Sequence, residues 1–191
     1  MANLRLFVAV PVPGPVKAAL VTAQKALTDA NPHVRSTGLT GIHLTLKFLG
    51  DTPEQRIPDL RRALEETAHT LQKPIRLSCV GAGAFPNLKE PRVLWAGLAG
   101  DVAELTRMQQ VLDVQLAKLG IPREARPFHA HLTLGRMKMP KMLGALHKAM
   151  EKIAAAEFGD FTAEALVLYS SELRPTGAVY TSIERVPLPA D

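Results

Sequence analysis

The chain has 191 residues, 47% hydrophobic and 21% charged, which excludes a disordered tail, a collagen or a coiled coil and suits one compact domain over residues 1–191. A formal net charge of +5 is spread along the chain and favours an anionic partner. The lone cysteine, Cys79, leaves no disulfide framework or multi-cysteine zinc site and fits a reducing, cytoplasmic setting.

Residues 4–10 form an apolar run too short to cross a membrane and without a signal-cleavage pattern. They read as a buried strand ended by Pro11 and Pro13. Val16, Leu20, Ala23 and Leu27 then recur at helical spacing, with Pro15 acceptable in the first turn. Residues 31–40 are expected to be loop. Residues 42–48 alternate: Ile42, Leu44, Leu46 and Phe48 on one face, His43, Thr45 and Lys47 on the other, with Gly50 and Asp51 closing the strand.

Ile57, Leu60, Leu64, Ala68 and Leu71 stripe a second helix whose start Pro58 limits. Residues 75–80, with Cys79 as a buried inert thiol, and 92–96, with Trp95 as core, read as strands joined by a glycine-rich loop over 81–87. Asp101 and Glu104 resemble a capping box opening a helix of Val102, Leu105, Leu112, Leu116 and Leu119, stopped by Gly120 and Pro122. Residues 129–134 alternate again, with Ala130, Leu132 and Leu134 apolar and His129, His131 and Thr133 polar. A helix over 142–153 and strands over 161–169 and 179–186 complete the chain.

The tetrapeptide His-Leu-Thr-Leu occurs at 43–46 and at 131–134, an interval of 88 residues. With matching elements around each copy, this spacing reads as a duplicated unit: two lobes sharing one site. In each copy, period-2 geometry puts His and Thr on one strand face and both leucines in the core. Two such strands facing across a cleft suit displacement at a phosphodiester. One imidazole takes a proton from water, the opposite imidazolium gives one to the departing oxygen, and the threonine hydroxyls hold the non-bridging oxygens. With two ordinary histidines, about a quarter of molecules hold that mixed state near pH 6.5, and a bell-shaped profile follows.

The paired H-x-T-x motifs resemble those of the 2H phosphoesterase superfamily. The fuller resemblance is to the RNA 2′,3′-cyclic phosphodiesterases, historically called 2′-5′ RNA ligases. It extends over nearly the whole chain: residues 5–11 (RLFVAVP), 43–50 (HLTLKFLG), 83–87 (GAFPN), 91–97 (PRVLWAG), 126–128 (RPF), 131–136 (HLTLGR), 169–173 (YSSEL) and 177–180 (GAVY).

The resemblance implies an α+β fold of two pseudo-symmetric lobes, with antiparallel sheets flanked by helices around a central cleft. It also implies hydrolysis of RNA 2′,3′-cyclic phosphate ends to 2′-phosphates with no metal and no cofactor. On the matching positions His43 is the proton donor, His131 the acceptor that activates water, Thr45 and Thr133 phosphate contacts, and Arg136 a phosphate-binding residue. RNA ends, tRNA fragments among them, are the implied partner of a monomer.

The pattern is not followed everywhere. The family often has Pro before the second histidine, where this chain has Ala130 after His129, and His129-x-His131 could chelate zinc only with a third ligand. On a regular strand Arg136 shares parity with Leu132 and Leu134, so it reaches the site only if the strand ends or bulges near Gly135. Lys47 lies on the His43 face, toward a phosphate or toward solvent. Phe7, Phe48, Phe85 and Tyr180 are candidates to stack a base, Tyr180 as a substrate-binding residue and Phe48 with the parity of core. The glycines at 81 and 83 lack the Gly-Lys-Ser/Thr of a P-loop. Rival readings are a cyclic-nucleotide phosphodiesterase of the same superfamily, a 2′-5′ RNA-joining enzyme, and an RNA-end-binding protein without catalysis.

Overall fold

The computed structural model describes residues 3–175 and 177–190. In chain order the elements are β1 (Asn3–Pro11), α1 (Gly14–Ala30), β2 (Val34–Ser36), β3 (His43–Pro53), α2 (Ile57–Ala68), β4 (Arg76–Phe85), β5 (Val93–Gly100), α3 (Val102–Lys118), β6 (His131–Met137), α4 (Leu143–Ile153), β7 (Glu157–Thr162), β8 (Ala165–Arg174) and β9 (Gly177–Pro187). One sheet has the order β3-β1-β8-β9 and the other β2-β6-β5-β4-β7, with antiparallel pairing throughout. This is an α+β architecture.

The 88-residue interval extends beyond the tetrapeptide. It carries α1 onto α3 residue for residue, and β1, β3 and α2 onto β5, β6 and α4 within a few residues. The strand pairing is not a strict copy. Leu44 of β3 faces Val10, but Leu132 of β6 faces Ala96, two residues short of the equivalent position. A shift of two leaves every side chain on its own face, so the duplication of faces survives.

The helices exchange sheets. α1 follows a strand of the first sheet yet packs on β2, β6 and β7 of the second, beside α4. α3 follows a strand of the second sheet and packs with α2 and β3 at the first. Neither half therefore covers its own sheet unaided. One continuous apolar core includes Leu44 and Leu46 from one motif and Leu132 and Leu134 from the other.

Several boundaries differ from the sequence reading. β3 continues past Gly50 and Asp51 to Pro53, because β1 pairs with it as far as Asn3. The stretch expected as a glycine-rich loop is the second half of β4, paired to β5. Its glycines serve close approach: a Cβ on Gly83 would lie 2.3 Å from the Trp95 ring. Residues 161–169 belong to two strands, and the loop over 31–40 contains β2. Asp101 makes no side-chain cap on α3; its Oδ2 accepts the Arg76 amide at 2.9 Å instead, and Glu104 pairs with Arg107. Cys79 is buried and unpaired, its thiol pushed up to about 12 by desolvation. Among the described residues no helix is long and apolar enough to cross a membrane.

Candidate active site

Each motif strand carries a β-bulge at its second leucine. In β3, Thr45 pairs with Ala9 and Lys47 with Val8, so Leu46 is the extra residue. Beyond it parity inverts: Lys47 turns toward the core with Val8, and Phe48 joins Phe7 on the histidine face. In β6, Thr133 pairs with Trp95 and Gly135 with Leu94, so Leu134 is the extra residue. Gly135 turns inward and Arg136 comes out on the face of His131. Phe48 and Arg136 are thus positional counterparts, each five residues after its histidine.

Buried amides and a hydroxyl hold the bulged backbone. Gln109 Nε2 on α3 donates to the Leu46 carbonyl at 3.4 Å. The Thr37 amide donates to the Leu134 carbonyl at 3.3 Å, and its hydroxyl to the Thr133 carbonyl at 3.0 Å. Gln24 Nε2 on α1 supports that hydroxyl at 2.8 Å. Gly135 lets β2 come close: a Cβ there would sit 3.0 Å from Val34 Cγ1.

Two expectations are corrected by the first bulge. Lys47, expected on the His43 face as a substrate contact, turns its ammonium to the interior instead: its Nζ lies 2.6 Å from Asp113 Oδ1 and 2.7 Å from the Pro122 carbonyl, with 3% of the side chain exposed. Asp113 also accepts the Glu124 amide at 3.2 Å and Arg123 Nε at 3.4 Å. This buried pair ties the segment after α3, which forms one wall of the site, to the first motif strand. Phe48 is not core; it is 62% exposed on the cleft side.

His43 stands among rings. Its centroid is 4.7 Å from Tyr169, 5.0 Å from Tyr180 and 5.7 Å from Phe7. Burial, and secondarily the Lys17 ammonium, push its imidazole down to about 4. His131 Nδ1 lies 2.7 Å from the His129 carbonyl. A carbonyl only accepts, so Nδ1 carries the hydrogen and Nε2 of the neutral ring keeps its lone pair. Burial also holds His131 below the usual histidine range. The carbonyl contact opposes that shift, and the His129 and Arg136 charges add to it. The assumption of two histidines with ordinary titration is therefore corrected.

Both histidines and both threonines line one cavity of about 680 Å³. Its walls include Phe48, Phe85, Pro86 and Phe128, with Arg92, Arg126 and Arg136 as cations. Phe85 meets His131 edge-on at 5.1 Å. Trp95, expected in the core, lies on this side of the sheet, 5.2 Å from Phe85 and 5.4 Å from His129. Tyr180 comes from β9 and packs edge-on to His43, so it flanks the histidine. His129 and His131 have ring centroids 6.3 Å apart, and among the described residues no three His, Cys, Asp or Glu converge as metal ligands.

The sequence reading missed Tyr169, Arg92 and Arg126 as site residues. Tyr169 has no spacing relation to either motif; only the pairing of β8 with β1 sets it opposite Phe7. Arg92 and Arg126 lie within segments that resemble the family, but no periodicity singles them out.

The pattern of the 2′-5′ RNA ligase superfamily matches residues 13–174. The chain belongs to that superfamily. Among superfamily relatives, an RNA 2′,3′-cyclic phosphodiesterase of Methanothermobacter thermautotrophicus is 30% identical over 182 residues, covering 95% of this chain and 97% of that one. A crystal structure from Thermus thermophilus is 33% identical with a TM-score of 0.80, covering 97% and 98% of the two chains. E. coli LigT complexed with 3′-AMP is 25% identical with a TM-score of 0.74, covering 97% and 98%.

Proposed function

We propose that this protein hydrolyses RNA 2′,3′-cyclic phosphate ends to 2′-phosphates by acid–base catalysis between His43 and His131. The observation that carries the reading is the pair of His-Thr faces on one cavity, with the His131 tautomer set by the His129 carbonyl. Relatives named for this activity and a LigT structure holding 3′-AMP support it.

His131 Nε2 takes a proton from water as its oxygen attacks phosphorus. The bond from phosphorus to the 3′ oxygen breaks, and the His43 imidazolium protonates that oxygen. The products are a 2′-phosphate and a 3′-hydroxyl. Thr45, Thr133 and Arg136 meet the charge on the non-bridging oxygens. Phe48 and Phe85 offer ring faces and edges to the terminal base. An imidazolium with a pKa near 4 is a strong donor but scarce at neutral pH. The docked diester anion favours its protonation, so substrate binding itself arms the acid. We read residues 1–191 as one catalytic unit and a monomer acting in the cytoplasm, tRNA fragments being candidate substrates. Ligation to a 2′-5′ linkage uses the same groups in reverse.

A cyclic-phosphate-ended oligonucleotide incubated with excess EDTA tests the reading. A 2′-phosphate product is expected; a 3′-phosphate product, or dependence on added metal, overturns it. The pH profile gives a second prediction. kcat/KM reports the free enzyme, in which both histidines titrate below their ordinary range, His43 near 4. Its maximum therefore falls below about pH 6.5, the value for unperturbed histidines. The kcat maximum lies higher, because the bound anion raises the donor. A kcat/KM optimum above neutrality would remove these histidines as the titrating pair.

A further inference from the structure

Beside the catalytic cavity runs a larger groove of about 1090 Å³ that shares both threonines, His43, Phe48, Arg92, Val93 and Arg136 with it and extends away from the terminal-nucleotide walls. Five cations line it: Arg5, Arg35, Arg92, Arg136 and Lys138. No carboxylate does, among the described residues. Among those residues, none of the five takes part in an ion pair.

The arrangement is unfavourable without an anion. Arg35 of β2 and Arg136 of β6 are direct cross-strand partners, and like charges in that relation repel. Lys138 follows on the same face, and Arg92 is oriented by a hydrogen bond from its guanidinium to the Lys138 carbonyl. Arg5 approaches from the other sheet, across the groove. Cations on both walls, leading away from a phosphoryl-transfer site, match a polyanion that starts at that site.

We propose that this groove is the track for the strand 5′ to the cyclic phosphate, with Arg5, Arg35 and Lys138 meeting upstream phosphates, so that the preferred substrate is an oligonucleotide and not a mononucleotide. The proposal rests on the reading that a cyclic phosphate end sits between the histidines. The terminal nucleotide occupies the aromatic cavity, and each further nucleotide adds a phosphate to the basic groove. Such contacts release counterions and make affinity fall with salt.

The experiment compares a nucleoside 2′,3′-cyclic monophosphate with a short oligoribonucleotide carrying the same terminal nucleotide, across a salt series. The proteins are wild type, Arg5→Gln/Arg35→Gln and Lys138→Gln. All three side chains are exposed, and melting curves check that the fold is kept. In the wild type, kcat/KM for the oligonucleotide exceeds that for the mononucleotide several-fold at low salt, and the advantage shrinks as salt rises. Each removed cation flattens the log–log salt slope by about 0.7. The double variant loses the oligonucleotide advantage while mononucleotide turnover stays near wild type. Equal turnover of both substrates by wild type overturns the track, as does an advantage that survives the double substitution. Loss of mononucleotide turnover in the double variant also overturns it, by placing these arginines at the phosphoryl site. Failure of wild type on both substrates refutes the catalytic reading instead.

Discussion

His131→Ala and His43→Ala each lower kcat on a cyclic-phosphate RNA end by about 10²–10⁴, the usual contribution of a positioned acid or base. The two losses differ in kind. Without His131 nothing takes the water proton, and the limb of the pH profile that rises as the base loses its proton disappears. Without His43 the leaving oxygen departs unprotonated, and the limb that falls as the acid loses its proton disappears. A diester with an aryl leaving group separates them, since its departure needs no acid. On that substrate the His43 variant regains most of its rate and the His131 variant does not. His43→Gln is the safer variant for this test, because Ala would leave a gap between Tyr169 and Tyr180. Near-wild-type turnover by either variant on the RNA end removes that residue from the mechanism. Recovery of both variants on the aryl diester reverses the assignment of His131 as base. The double variant is not expected to lose the product of the two effects, because the pair acts as a unit.

Lys47→Met is expected to cost about 1–3 kcal/mol of folding stability, because it takes the ammonium at 2.6 Å from the Asp113 carboxylate and leaves it the Glu124 amide and the Arg123 guanidinium at 3.4 Å. The side chains of the pair are 3% and 7% exposed, so water cannot replace the missing partner. Asp113→Leu leaves the Lys47 ammonium with only the Pro122 carbonyl and costs more, about 3–5 kcal/mol. Combining Lys47→Met with Asp113→Leu recovers much of the loss, since an apolar pair of similar volume needs no desolvation. Denaturant melts of the three variants measure this directly. A cost below about 1 kcal/mol for Lys47→Met would show that the pair behaves like a surface ion pair. The same variants bear on the site. The Pro122 carbonyl and the Glu124 amide are both held by this pair, and the segment continues to Arg126 and Phe128 in the cavity wall. The single substitutions therefore raise KM for the RNA end more than they lower kcat.

Much of the site can be read without coordinates, and the division between what can and cannot has a physical cause. Alternation along a strand is a local property. A four-residue string found twice, 88 residues apart, is enough to place His43 and Thr45 opposite Leu44 and Leu46, and His131 and Thr133 opposite Leu132 and Leu134. Nothing beyond the strand is needed for that step. The conflict over Arg136 is also visible in sequence, because its odd distance from His131 contradicts a regular ladder.

A bulge is not local. It belongs to the pairing of two strands and is stabilised by groups far away in the chain: Gln109 at the first motif, Thr37 and Gln24 at the second. Strict alternation therefore assigns Lys47 to the cleft and Phe48 to the core, and the folded protein reverses both. Tyr169 and Tyr180 likewise reach His43 only through the pairing of β8 with β1 and β9. The depressed titration of both histidines follows from burial that no spacing encodes. The sequence alone establishes the paired His-Thr faces and their duplication, since these depend on residue order and period. Sheet pairing and helix exchange settle which cations line the cavity and the groove and which lysine is buried against Asp113, since those depend on contacts between residues remote in sequence.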